Sequence, residues 1–166
     1  MAKALFLDRD GVINIDRGYV YRIDDFEFLP GIFAFCRSAM INGYRIVVVT
    51  NQSGIGRGYY SEDDFLRLTH WMKGVFAEND VALDHVYYCP HHPSHARGHY
   101  QVDCQCRKPK PGMLNRAVEE LGLDASRCLM VGDSQTDIEA AQAAGIRAIK
   151  VECNQADYLA LSSLLF

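Results

Sequence analysis

The chain has 166 residues, 49% of them hydrophobic, and a formal net charge of −4 at pH 7. This size and composition predict one domain over residues 1–166 with a buried core. The acidic balance argues against nucleic acid as a partner, because a phosphate backbone requires a basic face. No apolar run approaches the ~20 residues that span a bilayer, and the N-terminal MAKALFLDRDG lacks the pattern of a signal peptide. We therefore expect a cytoplasmic monomer with no membrane partner.

Short apolar segments rich in β-branched residues predict buried strands. In chain order they are Ala4–Asp8, Arg45–Asn51, His85–Cys89, Cys128–Asp133 and Arg147–Val151. Helical periodicity lies between them, over residues 31–43, 61–79, 111–122 and 134–145. Strands that alternate with helices predict an α/β protein: a Rossmann-like three-layer sandwich with a central parallel sheet. The segment after the first strand is too short to hold a large cap domain, and the apolar tail suits either a final helix or a contact with another chain.

Polar side chains follow the ends of several predicted strands. Asp8 ends the first strand and Asp10 follows it, Thr50 stands near the end of the second, and Asp133 ends the fourth. The carboxyl ends of parallel strands share one edge of the sheet, where ligands bind. We therefore expect these residues to converge there with Lys108, which precedes a predicted helix.

These residue types suit phosphate chemistry. Two neighbouring carboxylates repel each other, and a hard cation such as Mg²⁺ relieves that repulsion. One carboxylate could attack phosphorus while the other moves protons, and Thr50 and Lys108 could hold the phosphoryl oxygens. Taken singly, each residue has an ordinary interpretation as a turn acid, a strand residue or a surface charge. Their joint position at one edge of the sheet favours a phosphate site.

The strings FLDRDG, VVVTNQSG, CRKPKPG and GDSQTD together resemble the haloacid dehalogenase (HAD) superfamily of phosphatases, over roughly residues 4–151. The resemblance implies that Asp8 is the nucleophile and Asp10 the acid and base. It implies that Asp8, Asp133 and the backbone carbonyl of Asp10 bind Mg²⁺. Asp137 would lie next to these ligands without binding the ion itself. Thr50 and Lys108 would then stabilise the phosphoryl group.

The segment over residues 89–109 predicts a zinc-binding loop. It contains the pairs Cys89-x-His91 and Cys104-x-Cys106, and two such pairs can form a closed tetrahedral site. Its prolines and glycine leave little regular structure, so a metal would supply the order that the loop needs. Competitors of His91 as the fourth ligand are His92, His95 and His99. We expect the other cysteines, Cys36, Cys128 and Cys153, to be core thiols.

The C-x-H…C-x-C-R-K-P pattern is similar to the small zinc-carrying branch of this superfamily, which includes heptose bisphosphate phosphatases and histidinol-phosphatases. DRGYVYRIDDFEFLPG and YYCPHHP resemble the heptose enzymes in particular. The resemblance implies removal of the 7-phosphate from D-glycero-D-manno-heptose 1,7-bisphosphate, a small sugar phosphate used for nucleotide-activated heptose. The positions that it marks for substrate contacts are Asp16, Arg17, Gly18, Tyr19, Asn51, Gln52, Ser53 and Arg107, and Arg57 is a further candidate.

Other interpretations stay open at this point. Ser134 follows Asp133 where heptose bisphosphate phosphatases often carry a lysine, and GDSQTD has some likeness to the histidinol-phosphatase pattern. A histidinol-phosphatase or another small sugar-phosphate phosphatase is therefore the alternative substrate assignment. A phospho-accepting receiver domain also places acids, a threonine and a lysine at strand ends, but the early DxD and late GDxxxD order fits hydrolysis better. A binding protein without activity is the remaining alternative, and both carboxylates are intact.

Overall fold

The computed structural model describes all 166 residues, and its centre is a five-stranded parallel sheet. The strands are β1 (Lys3–Leu7), β2 (Tyr44–Asn51), β3 (Leu83–Cys89), β4 (Leu129–Gly132) and β5 (Arg147–Lys150). Their order across the sheet is β3-β2-β1-β4-β5. The predicted α/β sandwich is confirmed, and β1 lies at the centre because it alone connects the two halves of the sheet.

Helices cover both faces of the sheet. They are α1 (Ile32–Ile41), α2 (Ser53–Gly56), α3 (Glu62–Glu78), α4 (Gly112–Glu120), α5 (Gln135–Ala143) and α6 (Tyr158–Leu161). The longer ones fall where periodicity predicts them. The short α2 was not predicted, because a four-residue SGIG segment is too brief to show a period. The tail packs onto its own chain through α6, whose Tyr158 ring lies 4.8 Å from the Phe35 ring.

Alternate residues of each strand build separate cores on the two faces, as period-two side-chain directions require. Leu5 and Leu7 of β1 pack with α1 and α3, whereas Ala4 and Phe6 pack against α4 and α5. All of these side chains are fully buried, and burial of a leucine or phenylalanine contributes about 1.5–3 kcal/mol. The central strand is therefore fixed on both sides, which makes its carboxyl end a rigid base for the site.

No large domain is inserted into the sheet. Between β1 and α1 the only regular element is a 3₁₀ turn, Ile23–Asp25, as the short segment predicts. None of the helices has both the length and the apolar character needed to cross a membrane. Loops and the short α2 therefore cover the carboxyl edge of the sheet.

Side-chain hydrogen bonds of Ser61 and Asp64 stabilise the start of α3. The Ser61 hydroxyl accepts a hydrogen bond from the Asp64 backbone N–H and the Asp64 carboxylate accepts one from the Ser61 N–H, both at 3.0 Å, which together form a capping box. We expect Ser61→Ala to lower the free energy of unfolding by about 1 kcal/mol, because a helix N–H loses its partner. Urea denaturation measures this. Ser163→Ala is the matched control in the exposed tail, and an equal loss in both variants would contradict the role of the cap.

Candidate active site

Lys108 forms the centre of the site. Its ammonium group donates hydrogen bonds to the Asp8 carboxylate at 3.1 Å, to the Asp137 carboxylate at 2.6 Å and to the Val49 carbonyl at 2.9 Å. The side chain is only 3% exposed. Residues from the ends of β1 and β2, from α5 and from the loop before α4 thus meet at one buried charge, as the sequence predicts for Asp8 and Lys108.

The electrostatics of this cluster favour an additional cation. Burial raises the pKa of Asp8 well above its ordinary value; Lys108 opposes the shift, and Asp137 and Asp133 add to it. Burial also raises the pKa of Asp133. Burial tends to lower the pKa of Lys108, but the carboxylates of Asp8 and Asp137 raise it above its ordinary value. The lysine therefore stays cationic. One lysine faces three carboxylates, which leaves excess negative charge for a divalent ion to neutralise.

The carboxylates are spaced for a metal ion. Oxygen atoms of Asp8, Asp133 and Asp137 all lie within 4.8 Å of one another, and hard oxygen donors fit Mg²⁺. The backbone approaches closely here because residue 11 is glycine: its φ is +87°, and a Cβ there would overlap Asp133 Oδ2. The glycine of FLDRDG is therefore required both by its conformation and by contact with Asp133.

Asp10 points away from this cluster into a separate hydrogen-bond network. Its Oδ1 accepts from Arg9 Nη2 at 2.8 Å and from Asn14 Nδ2 at 3.0 Å, and its Oδ2 accepts from Gln52 Nε2 at 3.2 Å. Arg9, Asn14 and Gln52 are all buried. The two aspartates of the DxD sequence therefore have different surroundings: Asp8 lies at the lysine and Asp10 among neutral and cationic donors.

A cavity of about 430 Å³ opens over these groups. Its walls contain most of the residues predicted for the site: Asp8, Asp10, Asp16, Gly18, Tyr19, Asn51, Gln52, Ser53, Lys108, Asp133 and Asp137. Four separate pieces of chain thus converge as expected at the carboxyl edge of the sheet. Tyr60, Ser134 and Thr136 complete the lining.

Four predicted residues do not line the cavity: Arg17, Thr50, Arg107 and the further candidate Arg57. Arg17 is turned outward, where it pairs with Glu27 at 3.0 Å. The Thr50 hydroxyl is buried and accepts a hydrogen bond from Gln52 Nε2 at 2.9 Å, so the glutamine lies between it and the cavity. Arg107 also lies outside the wall, and its Nη1 is buried without a hydrogen-bond partner.

Some site residues carried no signal in the sequence. Tyr60 lies in a loop without a strand end, and Thr136 has the ordinary appearance of a helix-start residue. Arg9 is the central residue of the DxD and Asn14 follows it; both resemble surface polar residues in the sequence, although they are 1% and 0% exposed. A buried arginine requires a charged partner, and Asp10 is that partner at 2.8 Å.

The Cys/His loop forms a compact cluster of soft ligands. Ligand atoms of Cys89, His91, Cys104 and Cys106 lie within 4.8 Å of one another, and the His91 Nδ1 to Cys106 Sγ distance is 3.4 Å. The hydrogen bond with Cys89 lowers the pKa of Cys106 to about 5, although burial opposes this, and His91 and Cys104 contribute. This set fits a tetrahedral zinc ion. Of the competing histidines, His92 accepts hydrogen bonds from the backbone at Ser94 and His95.

The three cysteines outside the loop differ in their burial. Cys36 and Cys128 are buried, as expected for core thiols, but Cys153 is exposed. The expectation for Cys153 was wrong because β5 ends at Lys150, so the apolar pattern does not continue into a strand. Its sulfur instead lies near Gly11 and Asp133 at the edge of the site.

Clustered carboxylates and a buried lysine at the carboxyl edge of a parallel sheet define a Rossmann-like enzyme that acts on phosphate groups. Residues 105–162 match the family described as HAD-hydrolase-like. The chain is 53% identical over 153 residues to D-glycero-alpha-D-manno-heptose-1,7-bisphosphate 7-phosphatase of Burkholderia mallei, covering 92% of this chain and 81% of that protein. It is 54% identical over 147 residues to the D-glycero-beta-D-manno enzyme of Haemophilus influenzae, covering 89% and 79%.

A solved structure agrees with these relatives. The D,D-heptose 1,7-bisphosphate phosphatase from B. bronchiseptica, complexed with magnesium and phosphate, superposes with a TM-score of 0.82 at 31% identity and covers 97% of this chain and 87% of that one. The chain therefore belongs to the HAD hydrolases, in the same family as these heptose bisphosphate phosphatases. The family resemblance inferred from the sequence motifs is confirmed.

The buried lysine supplies a prediction about stability. Lys108→Met removes the cation between Asp8 and Asp137, and leaving such buried charges unpaired reduces the free energy of unfolding by about 3–5 kcal/mol. Lys110→Met is the matched control: its pair with Asp103 is exposed and contributes about 0–1 kcal/mol. Urea denaturation at neutral pH measures both.

The deficit of Lys108→Met also has a defined pH dependence. The lysine lowers the pKa of Asp8 against the effect of burial, so its removal raises that pKa further. A carboxyl whose pKa is higher in the folded state than in the unfolded state destabilises the fold when ionised. The deficit should therefore shrink as the pH falls and Asp8 gains a proton. A deficit that grows toward acid, or equal losses in the Lys108 and Lys110 variants, would contradict the pairing role of the lysine.

Proposed function

We propose that the chain is a Mg²⁺-dependent phosphomonoesterase that removes the 7-phosphate of D-glycero-D-manno-heptose 1,7-bisphosphate. It would serve the cytoplasmic supply of nucleotide-activated heptose. The relatives in B. mallei and H. influenzae, at about half identity, carry the name of this activity. The observation that carries the proposal is the contact of Lys108 with Asp8 beside Asp133, at the base of a cavity of about 430 Å³. The monomeric state and the single domain remain predictions.

Asp8 is the proposed nucleophile. A carboxylate oxygen of Asp8 attacks phosphorus, the bond from phosphorus to the sugar oxygen breaks, and an acyl phosphate forms on the aspartate. The Arg9 N–H donates to Asp8 Oδ1 at 2.8 Å and Lys108 donates to the same oxygen at 3.1 Å. These two contacts orient the carboxylate before the substrate arrives.

Asp10 is the proposed acid and base. In the first step it gives its proton to the departing sugar oxygen, and in the second it accepts a proton from the water that attacks phosphorus and releases Asp8. Donors from Arg9, Asn14 and Gln52 hold the carboxylate. Asp10 lines the cavity apart from Lys108, whereas Asp8 binds the lysine directly, so the two carboxylates can take different roles.

Mg²⁺ would be held by Asp8, Asp133 and the backbone carbonyl of Asp10. When bound, the ion supplies positive charge that neutralises the carboxylates and polarises the phosphoryl group. The magnesium and phosphate in the B. bronchiseptica enzyme support this assignment. Asp137 would hold Lys108 rather than the metal, because its Oδ1 accepts from the lysine and its Oδ2 accepts from the Ser134 N–H.

Loops around the cavity would bind the sugar. Asp16, Gly18 and Tyr19 form one wall, and Asn51, Gln52 and Ser53 form another. We assign the distal phosphate to Arg107, which lies outside the cavity wall: its buried, unpaired Nη1 would have to turn toward the cavity, where an anion would give it a charge-assisted hydrogen bond. Arg17 lies in the same loop as Asp16 but pairs with Glu27, so its contribution requires that pair to open. Thr50 would act on the phosphoryl group indirectly, through Gln52.

The histidinol-phosphatase alternative rests on the neutral hydroxyls of Ser134 and Thr136 in the cavity wall. Ser134 occupies a position that often carries a lysine in heptose bisphosphate phosphatases, so one cation for the substrate is missing here. A substrate with a single phosphate needs fewer cations. Histidinol phosphate is therefore the competitor substrate to compare with the heptose bisphosphate.

We propose that zinc is bound by Cys89, His91, Cys104 and Cys106 and has a structural role. Four protein ligands would complete a tetrahedral shell and leave no position for substrate. Arg107 and Lys108 directly follow the last ligand, and Asn51 holds the Lys108 backbone through hydrogen bonds of 3.1 and 3.2 Å. The metal would thereby fix the lysine over Asp8.

Phosphate release tests the proposed function. With Mg²⁺ we expect the largest kcat/KM for one anomer of heptose 1,7-bisphosphate, since the relatives are named for the alpha and the beta forms. Histidinol phosphate and fructose 1,6-bisphosphate are assayed in parallel. A preference for histidinol phosphate would contradict the assigned substrate, and no release from any of them would contradict phosphatase activity.

The Asp8→Asn variant is the control for chemistry in this assay. An amide cannot replace the nucleophilic carboxylate, so turnover should fall at least about 10³-fold, whereas the fold is kept because Lys108 loses only one of two anionic partners. Circular dichroism checks the fold. Activity within a few-fold of wild type would disprove the nucleophile assignment.

Zinc content tests the proposed ligand set. His91→Ala should reduce the zinc in purified protein from about one ion per chain to a small fraction, because a closed site loses a ligand. His92→Ala is the matched control, since His92 Nδ1 already accepts hydrogen bonds from the backbone of Ser94 and His95. Plasma emission spectroscopy gives both values. Loss of zinc in the His92 variant, or its retention in the His91 variant, would contradict the ligand set.

A further inference from the structure

Tyr60 is a buried residue of the cavity wall that the proposed mechanism does not use. It is 6% exposed and lies beside Gln52, which is 2% exposed. Its ring stacks on Tyr21 with centroids 5.1 Å apart and an interplanar angle of 7°. Space for the ring exists because residue 54 is glycine: a Cβ there would overlap Tyr60 Cε1. The phenol is therefore held firmly in one place.

The Tyr60 hydroxyl begins a directed chain of hydrogen bonds. It donates to Gln52 Oε1, and Gln52 Nε2 then donates to Asp10 Oδ2 at 3.2 Å and to Thr50 Oγ1 at 2.9 Å. A side-chain amide has an accepting end and a donating end. By donating to the oxygen, the tyrosine determines that the NH₂ group faces Asp10.

The opposite amide orientation would disturb Asp10. It would direct Gln52 Oε1 toward a carboxylate oxygen, so two acceptors would face each other in a buried space. Arg9 and Asn14 bind the other oxygen of Asp10, so Gln52 supplies the side-chain donor to Oδ2. Burial raises the pKa of Tyr60 above its ordinary value, so the phenol keeps the proton that it donates.

We propose that Tyr60 is a positioning residue that acts through Gln52 to hold the Asp10 carboxylate in the orientation needed for proton transfer. The inference rests on the proposed function, in which Asp10 moves the protons. Tyr60 itself needs no contact with the substrate in this role. Its stacking on Tyr21 connects the loop that follows Asp16 to the same arrangement.

Tyr60→Phe removes only the hydroxyl and keeps the stacked ring. We expect kcat to fall about tenfold, a fraction of the 10²–10⁴ that general acid–base catalysis supplies, while KM changes by less than about twofold because the substitution removes no group assigned to the substrate. Tyr88→Phe is the matched control: its hydroxyl donates to Glu62 at 2.7 Å, outside the cavity, and kcat should keep its wild-type value. A wild-type kcat for Tyr60→Phe would overturn the proposal.

A double-mutant cycle tests whether Gln52 transmits the effect. In a Gln52→Leu background the Tyr60→Phe change should alter kcat by less than about twofold, because coupled residues are not additive. A full additional tenfold loss in that background would show that Tyr60 acts by another route and would contradict the proposal. If Tyr60→Phe also lowers the stability of the protein, the comparison still holds, because that loss would lower kcat in the Gln52→Leu background as well.

NMR separates this inference from the proposed activity. The buried side-chain amide of Gln52 should give a resolved pair of N–H signals that exchange slowly with solvent, assigned by their loss in Gln52→Leu. We expect Tyr60→Phe to shift these signals and speed their exchange, and Tyr88→Phe to leave them unchanged. Unchanged signals in Tyr60→Phe would disprove the positioning role even if the enzyme acts on another substrate. Absent phosphate release with altered signals would instead contradict the activity alone.

Discussion

The site depends on one buried cation, Lys108, which is surrounded by groups from distant parts of the chain. Its ammonium group meets Asp8 at the end of β1, the Val49 carbonyl of β2 and Asp137 of α5. A lone ammonium group would be expensive to bury, and the two carboxylates offset that penalty. The same contacts leave Asp8 oriented and partly neutralised. The contacts that stabilise the buried lysine in the fold therefore also orient Asp8, the proposed nucleophile.

The loop before α4 must deliver this lysine with little freedom, although the loop is irregular. The Asn51 side chain forms hydrogen bonds with both the N–H and the carbonyl of Lys108, and these two bonds attach the loop to the end of β2. On its other side Cys106 belongs to the compact Cys/His cluster. A metal ion bound there would replace the hydrophobic packing that a loop of this kind lacks. The loop close to Asp8 is held by hydrogen bonds on one side and would be held by metal ligands on the other.

The sequence predicts the scaffold better than the connections within the site. Strands and most helices follow from periodicity, and Asp8 and Asp133 follow from their positions at strand ends, because a parallel sheet brings those ends together. The role of Gln52 as a link between Tyr60 and Asp10 could not be predicted, since it depends on the orientation of one amide in three dimensions. The outward position of Arg17 was missed for a similar reason: its pairing with Glu27 is a tertiary contact that residue type alone does not predict.

Ser134 shows how the local demands of the fold shape the substrate site. Its side chain caps α5 by accepting from the Thr136 N–H at 3.1 Å, while its own N–H donates to the Asp137 carboxylate at 3.2 Å. A lysine has no acceptor oxygen and could not form this cap. Serine therefore stabilises the start of the helix that carries Asp137, whereas a lysine at this position would add a cation to the cavity wall instead. The second phosphate is assigned instead to Arg107, so the cation that recognises it would come from the segment after Cys106 rather than from position 134.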